Sequence, residues 1–236
     1  MKNDSECLII AEDVRKEFRD DDIVVAAVRG IDLTVKPGEF TAVVGPSGSG
    51  KTTFFNLISG LEQPTAGKVW LKNQLVSEMS GREMADFRRD HVGFIFQAYN
   101  LIPVLTVEEN IEYIMLLQGV TKEERRGRVR KILSEIGMEG FEKRFPPKIS
   151  GGQQQRVAIA RAMVSHPELI LADEPTANLD SQTGAALLDI DGQTIMNSQP
   201  MNIGKVRGFV GVIGVGGGYK QVVGSRQQEI DDQQQV

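Results

Sequence analysis

Nine consecutive residues, Gly45-Pro46-Ser47-Gly48-Ser49-Gly50-Lys51-Thr52-Thr53, carry the clearest chemistry in this 236-residue sequence. They fit the pattern G-x-x-x-x-G-K-[ST] without a mismatch, and the pattern has a physical meaning. Glycines let backbone N–H groups turn inward around a phosphate, and a helix start behind them adds partial positive charge. Lys51 is placed to reach the β- and γ-phosphates of a nucleoside triphosphate, and the Thr52 hydroxyl to hold Mg²⁺. The plainer alternative is a glycine-rich turn before an ordinary helix. The flanks weigh against it: Phe40–Val44 reads as a buried parallel strand, and Lys51–Ser59 as a helix that Gly60 ends.

Three further stretches could act on a bound phosphate. Leu169–Ala172 is a second buried-strand run, and it ends in Asp173-Glu174. Carboxylates at the end of a parallel strand stand where an α/β sheet does its ligand chemistry. Asp173 is expected to hold Mg²⁺ through its waters and Glu174 to act as general base on the attacking water. Gln97 ends the strand-like His91–Phe96, where its amide can ligate Mg²⁺ or orient a water. Ser150-Gly151-Gly152-Gln153 opens a helix over Gln153–Ser165, with Ser150 at the N-cap. Two glycines there make sense if something approaches that backbone closely, and a bare helix start with a serine hydroxyl suits an anion. Phe18 lies upstream and can stack on a base, although such an aromatic is more often packing.

The elements that must position these residues are legible in outline. Leu8–Val14 and Ile23–Val28 read as strands around the charged turn Arg19–Asp22, and Ile31–Val35 alternates as a strand with one wet face. Lys36-Pro37-Gly38-Glu39 has Pro and Gly in type II turn order. The connections are too short for helical crossovers, so these strands are expected to be antiparallel. Lys68–Leu71 is another short strand. Ala98 to His166 reads as a helical insertion. Thr106-Val-Glu-Glu109 and Thr121-Lys-Glu-Glu124 match the capping box and open helices over Val107–Gln118 and Lys122–Ile136, the second stopped by Gly137. Its run Arg125, Arg126, Arg128, Arg130 and Lys131 reads as a solvated face.

Composition narrows the classes. With 40% hydrophobic and 25% charged residues, the chain can bury a core and remain soluble. A net charge of −5 argues against nucleic acid as main partner. The single cysteine, Cys7, excludes an internal disulfide framework and suits a reducing compartment. Met1–Glu12 lacks a basic-then-apolar leader, and Gly208–Gly218 is too short to span a bilayer. Any membrane role is therefore expected to come through a partner.

The order of phosphate loop, strand-end Gln97, Ser150-Gly151-Gly152-Gln153, strand with Asp173-Glu174, then Asn178-Leu179-Asp180 resembles the ATP-binding subunit of an ABC transporter. The resemblance runs from about Leu8 to Ile190. Asn100–Asn110 and Ala172–Asp180 look most like the lipoprotein-release and macrolide-efflux type. It implies an α/β fold: a P-loop NTPase (RecA-like) core with an antiparallel β subdomain and a helical subdomain. It implies a head-to-tail dimer around two ATP, in which Gly45 to Thr53, Gln97, Asp173 and Glu174 of one copy meet Ser150 to Gln153 of the other. Asp180 would belong to the loop linking the two sites, and Phe18 falls where the family stacks an aromatic on adenine. Gln97 and the helical insertion would sense a transmembrane permease. That makes the chain an ATPase with Mg²⁺, cytoplasmic and peripheral on the inner face of the membrane. The layout so implied is residues 1–97 for core and antiparallel part, 98–166 helical, 167–190 core again, and 191–236 an atypical tail.

After Ile190 the resemblance stops. The family would add a strand and a histidine at the γ-phosphate, but His91 and His166 both precede Asp173 and read as ordinary surface or packing residues. Residues 191–236 are rich in Gly and Gln, and only Val206–Val215 suggests a strand, weakened by its glycines. The abruptness favours a disrupted reading frame or truncation product over a degenerate copy or a functional divergence. The core is expected to be incomplete on that side. Two other functions follow as alternatives: an ATP-dependent dimerisation module with little hydrolysis, and an ATPase of DNA repair or translation. The acidic charge and the lack of a long coiled coil count against the latter.

Overall fold

The computed structural model describes residues 7–21, 23–173, 208–214, 220–223 and 226–229. Glu174, Asp180 and the helix start expected over Ser181–Ile190 lie outside them. The described residues fall into two units, one running up to Arg88 and including the late strands, the other from Arg89 through Asp173.

The first unit is built on β3 (Glu39–Gly45). It is entered through a tight turn in which the Glu39 N–H donates to the Lys36 carbonyl at 3.2 Å and Gly38 takes φ +83°, as the type II reading requires. Behind it α1 (Lys51–Ile58) buries Phe54, Phe55, Leu57 and Ile58 and stops where Gly60 turns left-handed at φ +66°. A Cβ on Gly60 would run into the Met84 side chain, so that turn needs glycine for space as well.

A four-stranded antiparallel sheet in the order β2-β1-β4-β5 makes up the rest of this unit's early half. Its strands are β1 (Ile9–Asp20), β2 (Ile23–Val35), β4 (Ala66–Leu71) and β5 (Gln74–Leu75). The antiparallel expectation holds, with corrected boundaries. β1 does not end at Val14, and Ile23–Val28 and Ile31–Val35 are one strand. Register shifts around Val14 and a Gly30 at φ +103° absorb the bend that breaks the alternation in sequence. Beyond the bend the hairpin stands clear of the core, with Ile23, Val24 and Val25 more than half exposed.

The tail corrects the expectation of an incomplete core. β8 (Gly208–Gly214) lies parallel to β3 through the whole register Glu39↔Gly208 to Gly45↔Gly214. On the other side β9 (Lys220–Val223) runs antiparallel to β3, and β10 (Arg226–Glu229) pairs with β9. Glycine weakens a strand by entropy and lack of packing, yet keeps its N–H and C=O, and ladder pairing needs only those.

Sequence reading missed α2 (Gly81–His91). Its signal is Ser80-Gly-Arg-Glu83, a capping box: Glu83 Oε2 accepts from the Ser80 N–H at 2.8 Å, and Ser80 Oγ accepts from the Glu83 N–H at 3.3 Å.

The second unit pairs β6 (Val92–Ile95) with β7 (Leu169–Asp173) in parallel, register Val92↔Leu169 to Ile95↔Ala172, and β7 is buried throughout. Around them are α3 (Val107–Leu117), α4 (Lys122–Glu135) and α5 (Gly151–Met163). A Cβ on Gly93 would collide with the Ala162 carbonyl oxygen, so α5 lies directly on the β6 backbone. The capping box at Thr106 is complete; at Thr121 the side chain accepts from the Glu124 N–H, one half of the box.

Asn110, 1% exposed, fastens the loop before α3. Its Nδ2 donates to the carbonyls of Ile102, Leu105 and Thr106 at 3.1, 3.0 and 2.9 Å, and its Oδ1 accepts from the Ile102 N–H at 2.8 Å. Asn110→Ala should cost about 1–3 kcal/mol by stranding buried carbonyls, read by urea unfolding. Asn110→Asp at pH 7 should cost more, because a carboxylate faces oxygens it cannot donate to. Its pKa is then raised in the fold, so the extra penalty must shrink as pH falls through that raised value.

Glu83 and Glu109 show the opposite sign. Hydrogen bonds from Ser80 and Thr106 hold both carboxyls below their ordinary value of 4.5. Their contribution is full above that value and lost as pH falls through the lowered one. The Glu83→Gln/Glu109→Gln variant should therefore lose less stability than the parent between pH 5 and pH 3, measured by thermal melts.

Candidate nucleotide site

The loop after β3 has the geometry of an anion cradle. Gly48 and Gly50 take φ +80° and +88°, and a Cβ on Gly48 would meet nothing within 4 Å, so the loop faces open space. The first intrahelical bond of α1 runs from the Phe54 N–H to the Gly50 carbonyl at 2.8 Å. No side chain caps α1 and no acid stands in its first turn, so no carboxylate there competes with an anion for the helix start. Lys51, 5% exposed, donates from Nζ to the Pro46 carbonyl at 2.8 Å and so holds its charge across the loop. Ser49 Oγ is buried and unpaired in the loop, an orphan that a phosphate oxygen would satisfy. Gly45 is buried at the strand end, Pro46, Ser47 and Thr52 are exposed and Thr53 is half-buried, with Thr52 open to a metal-bound water. These residues fit the triphosphate of ATP with Mg²⁺.

Phe18 belongs to the same unit. It sits on β1 opposite Val25 and is 42% exposed. Lys16 Nζ lies 5.2 Å from its ring centroid and is itself anchored by Glu62 and the Gln63 carbonyl, both at 2.9 Å. One face is taken by a cation, which leaves the exposed side of the ring for a base.

In the second unit the parallel pairing brings Gln97 and Asp173 to one edge. Ile95 stands opposite Ala172, so Asp173 and exposed Gln97 leave neighbouring strands at the same carboxyl end. Glu174, next to Asp173, lies outside the described residues.

The start of α5 is a complete capping box. Ser150 Oγ accepts from the Gln153 N–H at 3.3 Å, and Gln153 Oε1 accepts from the Ser150 N–H at 2.9 Å. The Gln153 carbonyl oxygen thus serves the cap, and the Ser150 hydroxyl retains its own proton to donate. The two glycines differ. A Cβ on Gly151 would stand 3.2 Å from Tyr99 Oη, whereas one on Gly152 would meet nothing within 4 Å. Gly151 is exposed but has the Tyr99 hydroxyl close on one side, and Gly152 is half-buried with room where a Cβ would stand.

Sequence reading passed over Tyr99 and Arg161. Tyr99 and Asn100 are both left-handed, φ 59° and 48°, a conformation that costs a non-glycine residue of order 1–3 kcal/mol and needs other contacts to hold it. Arg161 supplies them from α5, donating Nη2 to the Tyr99 carbonyl at 2.8 Å and Nη1 to the Asn100 carbonyl at 2.5 Å. The available signal was a charged residue inside the apolar run Val157–Met163. Of the histidines, His91 Nδ1 lies 3.4 Å from Glu168 and His166 is an exposed left-handed residue beyond α5, neither in the cradle.

Known proteins agree with this geometry. A family model described as ABC transporter matches residues 28–177. The lipoprotein-releasing system ATP-binding protein LolD of Chromohalobacter salexigens is 41% identical over 184 residues, 78% of each chain. The macrolide export ATP-binding/permease protein MacB of Marinobacter nauticus is 42% identical over 181 residues, 77% of this chain and 28% of MacB. Among solved structures, the ATP-binding cassette MJ0796, dimeric and bound to ADP and Pi in a post-hydrolysis state, superposes with a TM-score of 0.73; the two share 37% identity over 87% of each chain. MJ0796 is a protein of Methanocaldococcus jannaschii. A family match across most of the chain, joined to a P-loop fold shared with a solved cassette, places this protein in the ABC transporter family, among its ATP-binding proteins.

Proposed function

We propose that the chain is an ATP-hydrolysing engine that works as a dimer and drives a separate membrane permease of the export or lipoprotein-extraction type. The observation that carries this is the acid-free loop from Gly45 to Thr53, with Lys51 across it and α1 uncapped behind it. In this reading the loop of one copy holds the β- and γ-phosphates, Phe18 stacks on adenine, and Ser150 to Gly152 of a second copy close over the γ-phosphate. Gln153 keeps Ser150 in place, and Asp180 lies in the loop that links the two sites. Thr52, Gln97 and Asp173 would hold Mg²⁺, which would screen phosphate charge. Glu174 takes the proton of the water that attacks the γ-phosphorus, and ADP and phosphate leave.

Two similarities support the dimer and the work it does. The cassette MJ0796 is dimeric, and LolD is named for a lipoprotein-releasing system. Among the described residues no helix is long and apolar enough to cross a membrane, and in this reading a separate permease supplies the passage. Val104, Leu116 and Leu117, each at least half exposed on the second unit, are apolar side chains open to that permease. The chain then sits at the inner face of the membrane. The sequence also supports a second reading, an ATP-dependent dimerisation module that turns over slowly, because no histidine follows Asp173.

Steady-state hydrolysis with size-exclusion chromatography tests both. Glu174→Gln should cut turnover by about 10²–10⁴ and trap an ATP-bound dimer. A Glu174→Gln protein that hydrolyses at the parent rate would remove Glu174 from its role. Lys51→Ala should abolish ATP binding; a parent no faster than Lys51→Ala selects the dimerisation module.

A further inference from the structure

The left-handed turn just beyond Gln97 touches α5 at two places. At one, Arg161 commits both terminal guanidinium nitrogens to the carbonyls of Tyr99 and Asn100. At the other, Tyr99 Oη stands 3.2 Å from where a Cβ on Gly151, the first residue of α5, would lie. Ten residues of helix separate the two contacts, about 15 Å along the axis. No carboxylate pairs with Arg161 among the described residues, so its charge serves the turn. A lysine would have to serve both carbonyls from one nitrogen, without the rigid planar fork that gives each carbonyl its own donor. Asn110 holds the far end of the same loop at Ile102, so displacement of the turn has little slack to take up.

We propose that Arg161 and Tyr99 are positioning residues that lock the backbone after Gln97 to the start of α5, so that Gln97 and Ser150–Gly152 move as one body. Tyr99 is the strut and Arg161 the clamp that keeps it in its strained turn. On the reading given above, a shift of Gln97 on meeting nucleotide is then delivered directly to the helix start that faces the partner's ATP.

Amide hydrogen exchange on the nucleotide-free full-length chain tests the link without relying on ATP chemistry. Arg161→Lys should raise exchange at Tyr99, Asn100 and Ile102 and, together with them, at Gln153 to Arg156, by about tenfold, with α4 unchanged. In a Tyr99→Ala background, or Tyr99→Leu if that variant folds better, the same substitution should no longer affect Gln153 to Arg156. Effects confined to residues 99–102, or additive effects of the two substitutions at Gln153 to Arg156, would overturn the proposal. In the Glu174→Gln background Arg161→Lys should raise the ATP concentration for half-maximal dimerisation about fivefold, roughly 1 kcal/mol, at unchanged ATP affinity of the monomer. A parent that never dimerises with ATP would sink the function proposed above while the exchange data still decide the link.

Discussion

A buried lysine ammonium bonded to the Pro46 carbonyl sets the terms for the first unit. Charge kept that far from water must find oxygen partners, and here the loop itself supplies one. The loop can only curl around Lys51 because Gly48 and Gly50 accept positive φ, and it can only stay empty of side chains because nothing occupies the space at Gly48. Two elements hold the ends of the loop: β3, clamped between ladders on both edges, and α1, anchored by four apolar side chains.

The late strands put the unusual tail in a different light. A parallel strand beside β3 is the support an α/β sheet requires, and Gly208–Gly214 provides its hydrogen bonds despite three glycines. Backbone pairing is indifferent to side chains, so a segment with weak strand propensity can still complete a sheet when a strong neighbour sets its register. What the tail does not carry is a histidine for the γ-phosphate, which is a matter of chemistry and separate from the matter of pairing.

In the second unit the helix start at Ser150 is a junction of two demands. The capping box satisfies the local backbone and fixes the Ser150 hydroxyl, and Tyr99 crowds Gly151 from within. Ser150 and Gly151 nevertheless stay exposed, and Gly152 has open space where a Cβ would lie. Sequence reading assigned both glycines to an outside visitor because it could not see the ring that reaches one of them from a turn more than fifty residues earlier.

The sequence by itself determined the parts that depend on near neighbours. The phosphate loop, the caps at Thr106 and Ser150, and the glycine stops at Gly60 and Gly137 all follow from contacts within a few residues, and each stands where its spacing placed it. Tertiary structure decided the rest. The long bent β2, the pairing of β8 with β3, the Asn110 anchor and the Arg161 clamp join residues far apart in the chain, and a period or a motif carries no record of such partners. Burial strength and carbonyl geometry are set only when the distant surfaces meet, which is why α5 could be read as a helix but its hold on Tyr99 and Asn100 could not.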